Sequence, residues 1–534
     1  MIETDVLVVG AGPAGLAAAI ALKRRGYAGR VVVLDKGRSA GSHVLSGAVM
    51  DPSGFKDLLT EEETAALPVE AHVNRESFRF ILGPKASLPI PWVPPMMQAH
   101  GYPVGSLTKV VQYLTKIAQG LGVEVYTGYA VTGLIEEDGR VVGARTGEKG
   151  VDRDGAHKSN YLPSEEIRAK ITLLAEGAAG ILTDRLVEER DLAGKRPQSY
   201  AIGIKELIEL PAPVKGSGGT IMHTFGYPVD MRTYGGGFVY HVSASQVMVG
   251  YALGLDYADA SLDAHELFRK FKATGAVAPH IRGGKAVAYG AKMIPEGGFY
   301  ALPKPYAPGV IILGDGAGLL DGLRIKGIHL ALQSGVAAAA AIADGGQGTE
   351  ERYFELLKKT RAYAEVKRVK NVHGGFTYCA PVGVMMAGFA WATFGRFPFW
   401  MVGKRHKDSQ TLKPACPPVR SSPEHSNPQT LKPSNDSLFP DRLTDVFMSG
   451  TIHEEEQPCH LKVLDAAKCA ACAEKYGSPC TRFCPAEVYR REEGALRIDF
   501  SNCLHCKTCK VKCPFENIDW TFPQGGDGPR YTRM

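Results

Sequence analysis

Cysteine is almost missing from the first seven-tenths of this chain: of 11 cysteines in 534 residues, nine fall at or after Cys459. An even spread would suit buried thiols or disulfides, whereas this skew points to a metal-binding domain at one end. Charge of one sign is also lacking. The 62 Lys and Arg nearly balance 56 Asp and Glu, leaving a formal net charge of +6. With no basic run interleaved with aromatics, nucleic acid is not expected as a partner. The mean hydropathy of −0.10 and 44% hydrophobic content exclude a many-span membrane protein, a disordered chain and a collagen-like one. The length suits about three domains. The first apolar run lies within a few residues of Met1, which leaves no room for a signal peptide and predicts a reducing, cytoplasmic setting.

That first run, Asp5–Val9, reads as a buried parallel strand. It feeds Gly10-Ala-Gly12-Pro13-Ala14-Gly15 and then an Ala- and Leu-rich helix former. A second apolar strand, Val31–Leu34, ends at Asp35 and Lys36, about twenty residues beyond Gly15. This is a dinucleotide fingerprint with its parts in order. Gly10 permits the tight turn, Gly12 lets backbone approach a pyrophosphate, and Gly15 lets helix and strand pack closely. The pyrophosphate would sit at the helix N-terminus, with Asp35 accepting from a ribose hydroxyl. Further on, the strand Val310–Leu313 ends in Gly314-Asp315-Gly316, and an Ala-rich helix runs from Ile328 to Asp344. A second strand–acid–glycine–helix unit suits FAD. Asp315 would bind the ribityl chain, and the helix start at Lys326-Gly327 would bring N–H dipoles to the ring. No second GxGxxG is present, so no separate NAD(P)H site is expected.

Two cysteine runs close the chain. The second is Cys503-x2-Cys506-x2-Cys509-x3-Cys513-Pro, and the first is Cys469-x2-Cys472-x7-Cys480-x3-Cys484-Pro. The second matches the bacterial ferredoxin pattern, in which the Cys before Pro serves the other cluster. That rule groups Cys484, Cys503, Cys506 and Cys509 around one [4Fe–4S] cluster, and Cys469, Cys472, Cys480 and Cys513 around another. Zinc ribbons also use CxxC pairs, but not a triplet with two Cys-Pro ends. His505 reads as a surface residue, Glu454–Glu456 as a solvated loop, and Cys379, Cys416 and Cys459 as inert.

Between these ends, residues 374–395 carry no charged side chain and lead to Phe397-Pro-Phe-Trp400 and Lys404-Arg-His-Lys407. Six Gly or Pro residues in that stretch make one straight spanning helix unfavourable. Aromatics beside a cationic group predict a segment lying in one leaflet. Residues 404–440 read as linker, in which Gln410–Pro414 recurs as Gln429–Pro433 without functional signal. Strand-like alternation over 196–300 predicts a sheet covering the flavin. Within it, the glycines after Tyr234 either expose N–H groups to a ligand carbonyl or form a plain turn.

The combination resembles the electron transfer flavoprotein–ubiquinone oxidoreductase family. Further residues carrying the likeness are Leu45–Ala48 with Asp51-Pro52, Tyr200–Glu206, Thr233-Tyr-Gly-Gly236, Gly254–Tyr257, Tyr289–Ala291, Ser449–Thr451 with His453-Glu454, Arg482–Ala486, Asn502–Cys509 and Asn517–Trp520. The resemblance implies a monotopic flavoprotein on the cytoplasmic face of a bacterial membrane, passing electrons from reduced electron transfer flavoprotein to ubiquinone. By position it implies that Cys484, Cys503, Cys506 and Cys509 hold the family's single cluster and that the backbones of Gly235 and Gly236 bond the quinone. It also implies that Phe55, Leu58 and Leu59 dip into the membrane. Two departures stand out. Animal members carry an acid where Cys513 stands and lack the first run's other cysteines, so a second cluster in this chain is an expectation that the resemblance itself does not imply. Gly322–His329 also differs from the family's NVPKIKGTH while keeping its lysine and glycine.

The expected architecture is α/β. A Rossmann-like FAD-binding domain comes from residues 1–195, with a membrane-contacting segment near 45–60, and from 301–350. A β-rich quinone-binding domain occupies 196–300, an apolar membrane-contacting segment 351–403, a linker 404–440, and a ferredoxin-like domain 441–534. Quinone reduction by single-electron delivery needs electron-transfer centres and no acid–base constellation. Three other readings remain: a related flavoprotein that feeds a low-potential ferredoxin in nitrogen fixation or bifurcates electrons, an isoprenoid reductase with structural zinc, and a redox-sensing scaffold without turnover.

Overall fold

The computed structural model describes residues 2–396, 406–414 and 438–534. Its first sheet grows from the buried run Val6–Val9. That strand, Ile2–Val9, lies parallel between Glu166–Leu174 and Val31–Asp35, and Val31–Asp35 in turn pairs with Glu124–Thr127. Val310–Ile312 joins the far side of Glu166–Leu174, so both acid-ended strands of the two FAD-type units belong to one parallel sheet. Buried on both faces, these strands need no polar alternation, which explains their near-continuous Val, Ile and Leu.

Helix α1 (Pro13–Arg24) follows the first strand and packs against α2 (Ile328–Asp344). Small residues make the crossing close: a Cβ at Gly335 would stand 2.4 Å from the Ala14 carbonyl oxygen. The Ala-rich composition of both helices is therefore a packing requirement, and it holds the N-terminus of α2 beside that of α1.

The second sheet has seven strands in the order Lys285–Pro295, Tyr200–Glu209, Gln246–Gly254, Gly235–His241, Thr220–Gly226, Arg75–Ile81, Ser87–Ile90. The predicted sheet over 196–300 is thus present, but the boundary at 195 needs correction. Residues 75–90, assigned by sequence to the FAD-binding part, extend this second sheet through a parallel pairing with Thr220–Gly226.

Two membrane-contact expectations also change. Phe55, Leu58 and Leu59 are buried in the main core rather than exposed. Their helix, Ser53–Leu58, lies so close to α2 that a Cβ on Gly54 would approach the His329 Cα to 2.7 Å. Burying one such aromatic is worth about 1.5–3 kcal/mol, which fixes it to the core. The segment 351–403 is not uniformly apolar either. Thr349–Lys359 and Arg361–Arg368 are amphipathic helices that bury Tyr353, Leu357, Ala362 and Val366 in the same core. The apolar portion begins later and contains helix α3 (Ala380–Ala392), on which Val384, Met385, Phe389 and Trp391 are exposed. Among the described residues, no helix is long and apolar enough to cross a membrane. Phe397–Trp400, Lys404-Arg405, Cys416 and the repeat at 429–433 lie outside the described residues. Of the linker, 408–414 packs in place: Asp408 accepts from the Ser199 hydroxyl at 3.0 Å and the Tyr200 N–H at 2.9 Å.

The C-terminal unit is built from two short antiparallel pairs, Leu461–Val463 with Ile518–Trp520 and Tyr489–Glu492 with Ala495–Ile498. Helix α4 (Ala466–Tyr476) and the short helices Cys480–Phe483 and Thr508–Lys512 carry Cys469, Cys472, Cys480 and Cys509, with Cys484 and Cys513 capping the two short ones and Cys503 and Cys506 in the loop before the last.

Candidate electron-transfer site

One cavity of about 950 Å³ runs through the molecule. Its lining includes Gly10, Gly12, Pro13, Ala14, Asp35 and Lys36 at one end, Asp315, Lys326 and Gly327 along its length, and Gly235 and Gly236 in the second sheet. The residues singled out from sequence therefore converge, apart from Gly15, Gly314 and Gly316. Those three are not on the wall: Gly15 packs under the Gly10 carbonyl and the Gly314 N–H bonds the Ser334 hydroxyl at 3.0 Å.

The fit to a dinucleotide is specific. Gly12 is the N-cap of α1, and a Cβ there would meet nothing within 4 Å, leaving open space over the helix N-terminus. Asp35 is held by the N–H groups of Ala11 at 2.8 Å and Gly37 at 2.7 Å, at the end of its strand. Burial lifts the Asp315 carboxyl to about 6, with Lys292 opposing. Lys326 donates to the Val49 carbonyl at 2.9 Å and is pushed down to about 7, chiefly by burial. Lys36 departs from expectation. Its ammonium turns away from the ribose position to the Trp520 ring, 4.8 Å from the centroid, and to His505 Nδ1 at 3.5 Å.

His505 is consequently not a surface residue. It is 1% exposed, wedged between Lys36, His453 and Trp520. Sequence reasoning also missed Lys292, which faces Asp35, Asp315 and Cys506 together, and Lys507, which donates to the Ala179 carbonyl at 2.6 Å. The signal available for Lys292 was a charged residue deep in a mostly apolar strand, Lys285–Pro295. The acidic run Glu454–Glu456 is exposed as expected, and Cys379 and Cys459 are half-buried.

The eight cysteines form two quartets. Cys484, Cys503, Cys506 and Cys509 are all buried, at 5–8% exposure, on the side of the domain that faces Lys292 and the cavity. The His505 N–H donates to Cys503 Sγ at 3.4 Å and the Thr508 hydroxyl lies 3.4 Å from Cys506 Sγ. The buried Tyr489 hydroxyl neighbours Cys509. Cys469, Cys472, Cys480 and Cys513 line a second, smaller cradle. There Asn517 donates its side-chain N–H to Cys469 Sγ at 3.2 Å and its backbone N–H to Cys513 Sγ at 3.4 Å. Burial lifts Cys472 and Cys484 to about 12, so thiolates here require the positive charge of a metal centre.

Among the described residues, the buried His453, His460 and His505 bring their ligand atoms within 4.8 Å of one another.

These features together define an FAD-dependent oxidoreductase with a C-terminal iron–sulfur domain. The solved structures it resembles support the FAD-type fold. They include a geranylgeranyl bacteriochlorophyll reductase-like protein from Thermoplasma acidophilum, at TM-score 0.53 and 18% identity over 73% of this chain and 96% of that one. A flavin-dependent brominase matches at TM-score 0.51 and 17% identity, over 74% and 92%. The chain belongs to the electron transfer flavoprotein–ubiquinone oxidoreductase family. Profiles described as "Electron transfer flavoprotein-ubiquinone oxidoreductase, 4Fe-4S", "ETF-QO, ubiquinone-binding" and "FAD binding domain" match residues 436–532, 200–294 and 5–70. The mitochondrial human protein named for that activity is 37% identical over all of this chain and 89% of its own length. The rice protein is 36% identical, over 99% and 93%.

The thiolate neighbours give a first prediction. A hydroxyl beside a cluster sulfur favours the reduced, more negative state, so Tyr489→Phe is expected to lower the potential of a centre held by Cys484, Cys503, Cys506 and Cys509. Loss of about 1 kcal/mol corresponds to a drop on the order of 40 mV for one electron. An EPR redox titration checks it, and an unchanged potential would remove Tyr489 from the tuning set.

Proposed function

We propose that this protein takes electrons from reduced electron transfer flavoprotein and reduces ubiquinone, using FAD in the large cavity and iron–sulfur chemistry in the C-terminal domain. The observation that carries this reading is the continuity of the cavity. The same wall that begins at Gly12 and Asp35 ends at Gly235, Gly236, Trp92 and the α3 residues Val384 and Trp391.

Bound in this frame, FAD supplies a two-electron store and an iron–sulfur centre supplies one-electron relay. The protein's own part is placement. Gly12 leaves room for a pyrophosphate at the α1 N-terminus and Gly10 makes the turn that leads into it, while Asp35 and Asp315 stand at the strand ends to accept hydroxyl hydrogens. The N-terminus of α2, at Gly327, turns N–H dipoles toward the middle of the cavity, favouring negative charge there. The backbones of Gly235 and Gly236 meet the quinone carbonyl. Apolar side chains around them exclude water.

The mouth of the cavity supports a membrane-resting, monotopic protein. Trp92 is 65% exposed, and Trp391 and Val384 are about half exposed, so aromatic and aliphatic groups ring the entry a lipid-soluble quinone would use. We place this face on the cytoplasmic side of a bacterial membrane. The membrane contact is assigned to this mouth and not to the buried Phe55, Leu58 and Leu59.

We further propose two [4Fe–4S] centres: Cys484, Cys503, Cys506 and Cys509 hold the inner one, and Cys469, Cys472, Cys480 and Cys513 the outer. One preparation tests both parts. Anaerobically purified protein is expected to hold about eight irons per FAD and to form quinol in ubiquinone-loaded vesicles when supplied with reduced electron transfer flavoprotein. About four irons would reject the outer centre. No quinol, alongside active exchange with ferredoxin, would reject the quinone reaction.

A further inference from the structure

The two quartets are not equivalent in position. The inner four cysteines and three of the outer four, Cys472, Cys480 and Cys513, are all buried at 5–9% exposure, and Cys506 adjoins Lys507, which lines the large cavity together with Lys292, Asp35 and Asp315. Cys480 of the outer quartet opens the four-residue helix Cys480–Phe483 and Cys484 of the inner quartet caps its end, so one short helix joins the two. No residue of the large cavity's wall belongs to the outer cradle, and Cys469 is partly exposed. Cys469 alone of the eight is partly exposed, so the order is surface, Cys469 and the outer quartet, inner quartet, Lys507, cavity. Electron tunnelling falls steeply with distance, so a donor touching the surface at Cys469 is nearer to a redox centre than one touching the covered inner quartet.

The rim of the outer cradle has its own chemistry. Its two charged side chains, Lys468 and Arg491, are both cationic and exposed, and Leu496 and Phe515 beside them are partly exposed. Cationic groups around an apolar, half-open rim fit a partner with an acidic border and an apolar centre.

We infer that the outer quartet is the electron entrance, and that reduced electron transfer flavoprotein docks an acidic face on the rim of Lys468, Arg491, Leu496 and Phe515. The inference rests on the two-centre reading above. Each docking event transfers one electron inward, oxidising the donor's flavin by one electron. Two such events, with two protons from water, reduce one quinone to quinol.

The test uses the full-length holoprotein. The double variant K468E/R491E is expected to keep about eight irons per FAD. Its Kd for the donor flavoprotein should rise about tenfold at low salt, with a weakened dependence on ionic strength. Its KM for the donor rises with Kd while kcat changes little. C469S is expected to lower iron toward about four per FAD and to slow donor-driven reduction of the flavin, while dithionite still reduces it. Eight irons with unchanged Kd and salt dependence in the double variant would overturn the docking face and leave the two-centre reading standing. Four irons in the unmodified protein would overturn both.

Discussion

Protein carrying Gly12→Val is expected to fold normally and to purify nearly free of FAD. The two halves of that expectation come from one position. Gly12 has φ −83°, which any residue adopts, and a Cβ there would touch no protein atom within 4 Å. The polypeptide therefore has no reason to require glycine. The open space lies over the N-terminus of α1, where unpaired N–H groups favour an anion. A valine side chain would fill the pyrophosphate's place and hold it off those groups. Losing one or two charge-assisted hydrogen bonds, at about 1.5–3 kcal/mol each, weakens FAD binding by at least about tenfold and up to about twenty-thousandfold. The neighbouring glycines make the contrast. Gly10 has φ +112° and its Cβ would stand 2.3 Å from the Ala175 carbonyl oxygen, and a Gly15 Cβ would stand 2.1 Å from the Gly10 carbonyl oxygen. Substitutions there disturb strand and helix as well as cofactor. The decisive measurement is flavin content against the thermal stability of the deflavinated protein. Full FAD occupancy in the variant would mean that the pyrophosphate does not cross this helix end.

Which features were legible follows from how local they are. The glycine fingerprint and both acid-ended strands are short-range patterns, and the structure brings Gly10, Gly12, Asp35 and Asp315 to one cavity, with Gly15 packed behind its wall. Cysteine spacing likewise divided eight thiols into two quartets, because the Cys-Pro exchange is a property of short loops closing around one domain. What sequence did not convey depends on partners far along the chain. Residues 75–90 join the second sheet through a pairing with 220–226, more than a hundred residues away. Phe55, Leu58 and Leu59 have the composition of a membrane-dipping helix, and only the approach of α2 covers them. His505 sits between cluster ligands in a turn, which reads as surface until Lys36, Trp520 and His453 close over it. Lys36 itself follows a ribose-binding acid, yet points to the iron–sulfur domain. That residue links the two ends of the chain, a relation no local pattern encodes.

Lys272→Met is expected to cost about 3–5 kcal/mol of stability, and the pH dependence of the loss identifies the cause. The Lys272 ammonium donates to both Glu206 oxygens, at 2.6 and 2.8 Å, and to the Leu438 carbonyl at 2.9 Å, with both ionic side chains at 0% exposure. Lys272 lies on the helix Ala264–Lys272 and Glu206 on a central strand of the quinone-domain sheet, while Leu438 leads into the iron–sulfur domain. One ammonium thus holds three parts of the molecule. Removing it strands a carboxylate inside the fold, a loss of about 3–5 kcal/mol when one partner of a buried pair is deleted. Burial already raises the Glu206 carboxyl, with Lys272 as its main opposing influence, so the variant raises it further. A group whose folded pKa lies above its unfolded value keeps its stability at low pH and loses it as pH rises through the folded value. The deficit of Lys272→Met relative to the parent is therefore smallest in acid and grows toward neutral and alkaline pH. Lys272→Met combined with Glu206→Gln leaves no stranded charge and should recover much of the loss, because the desolvation of both ions is removed with their attraction. Thermal unfolding of the two variants across pH decides it. A deficit independent of pH, or a double variant no better than the single one, would show that Lys272 acts by packing and not by neutralising Glu206.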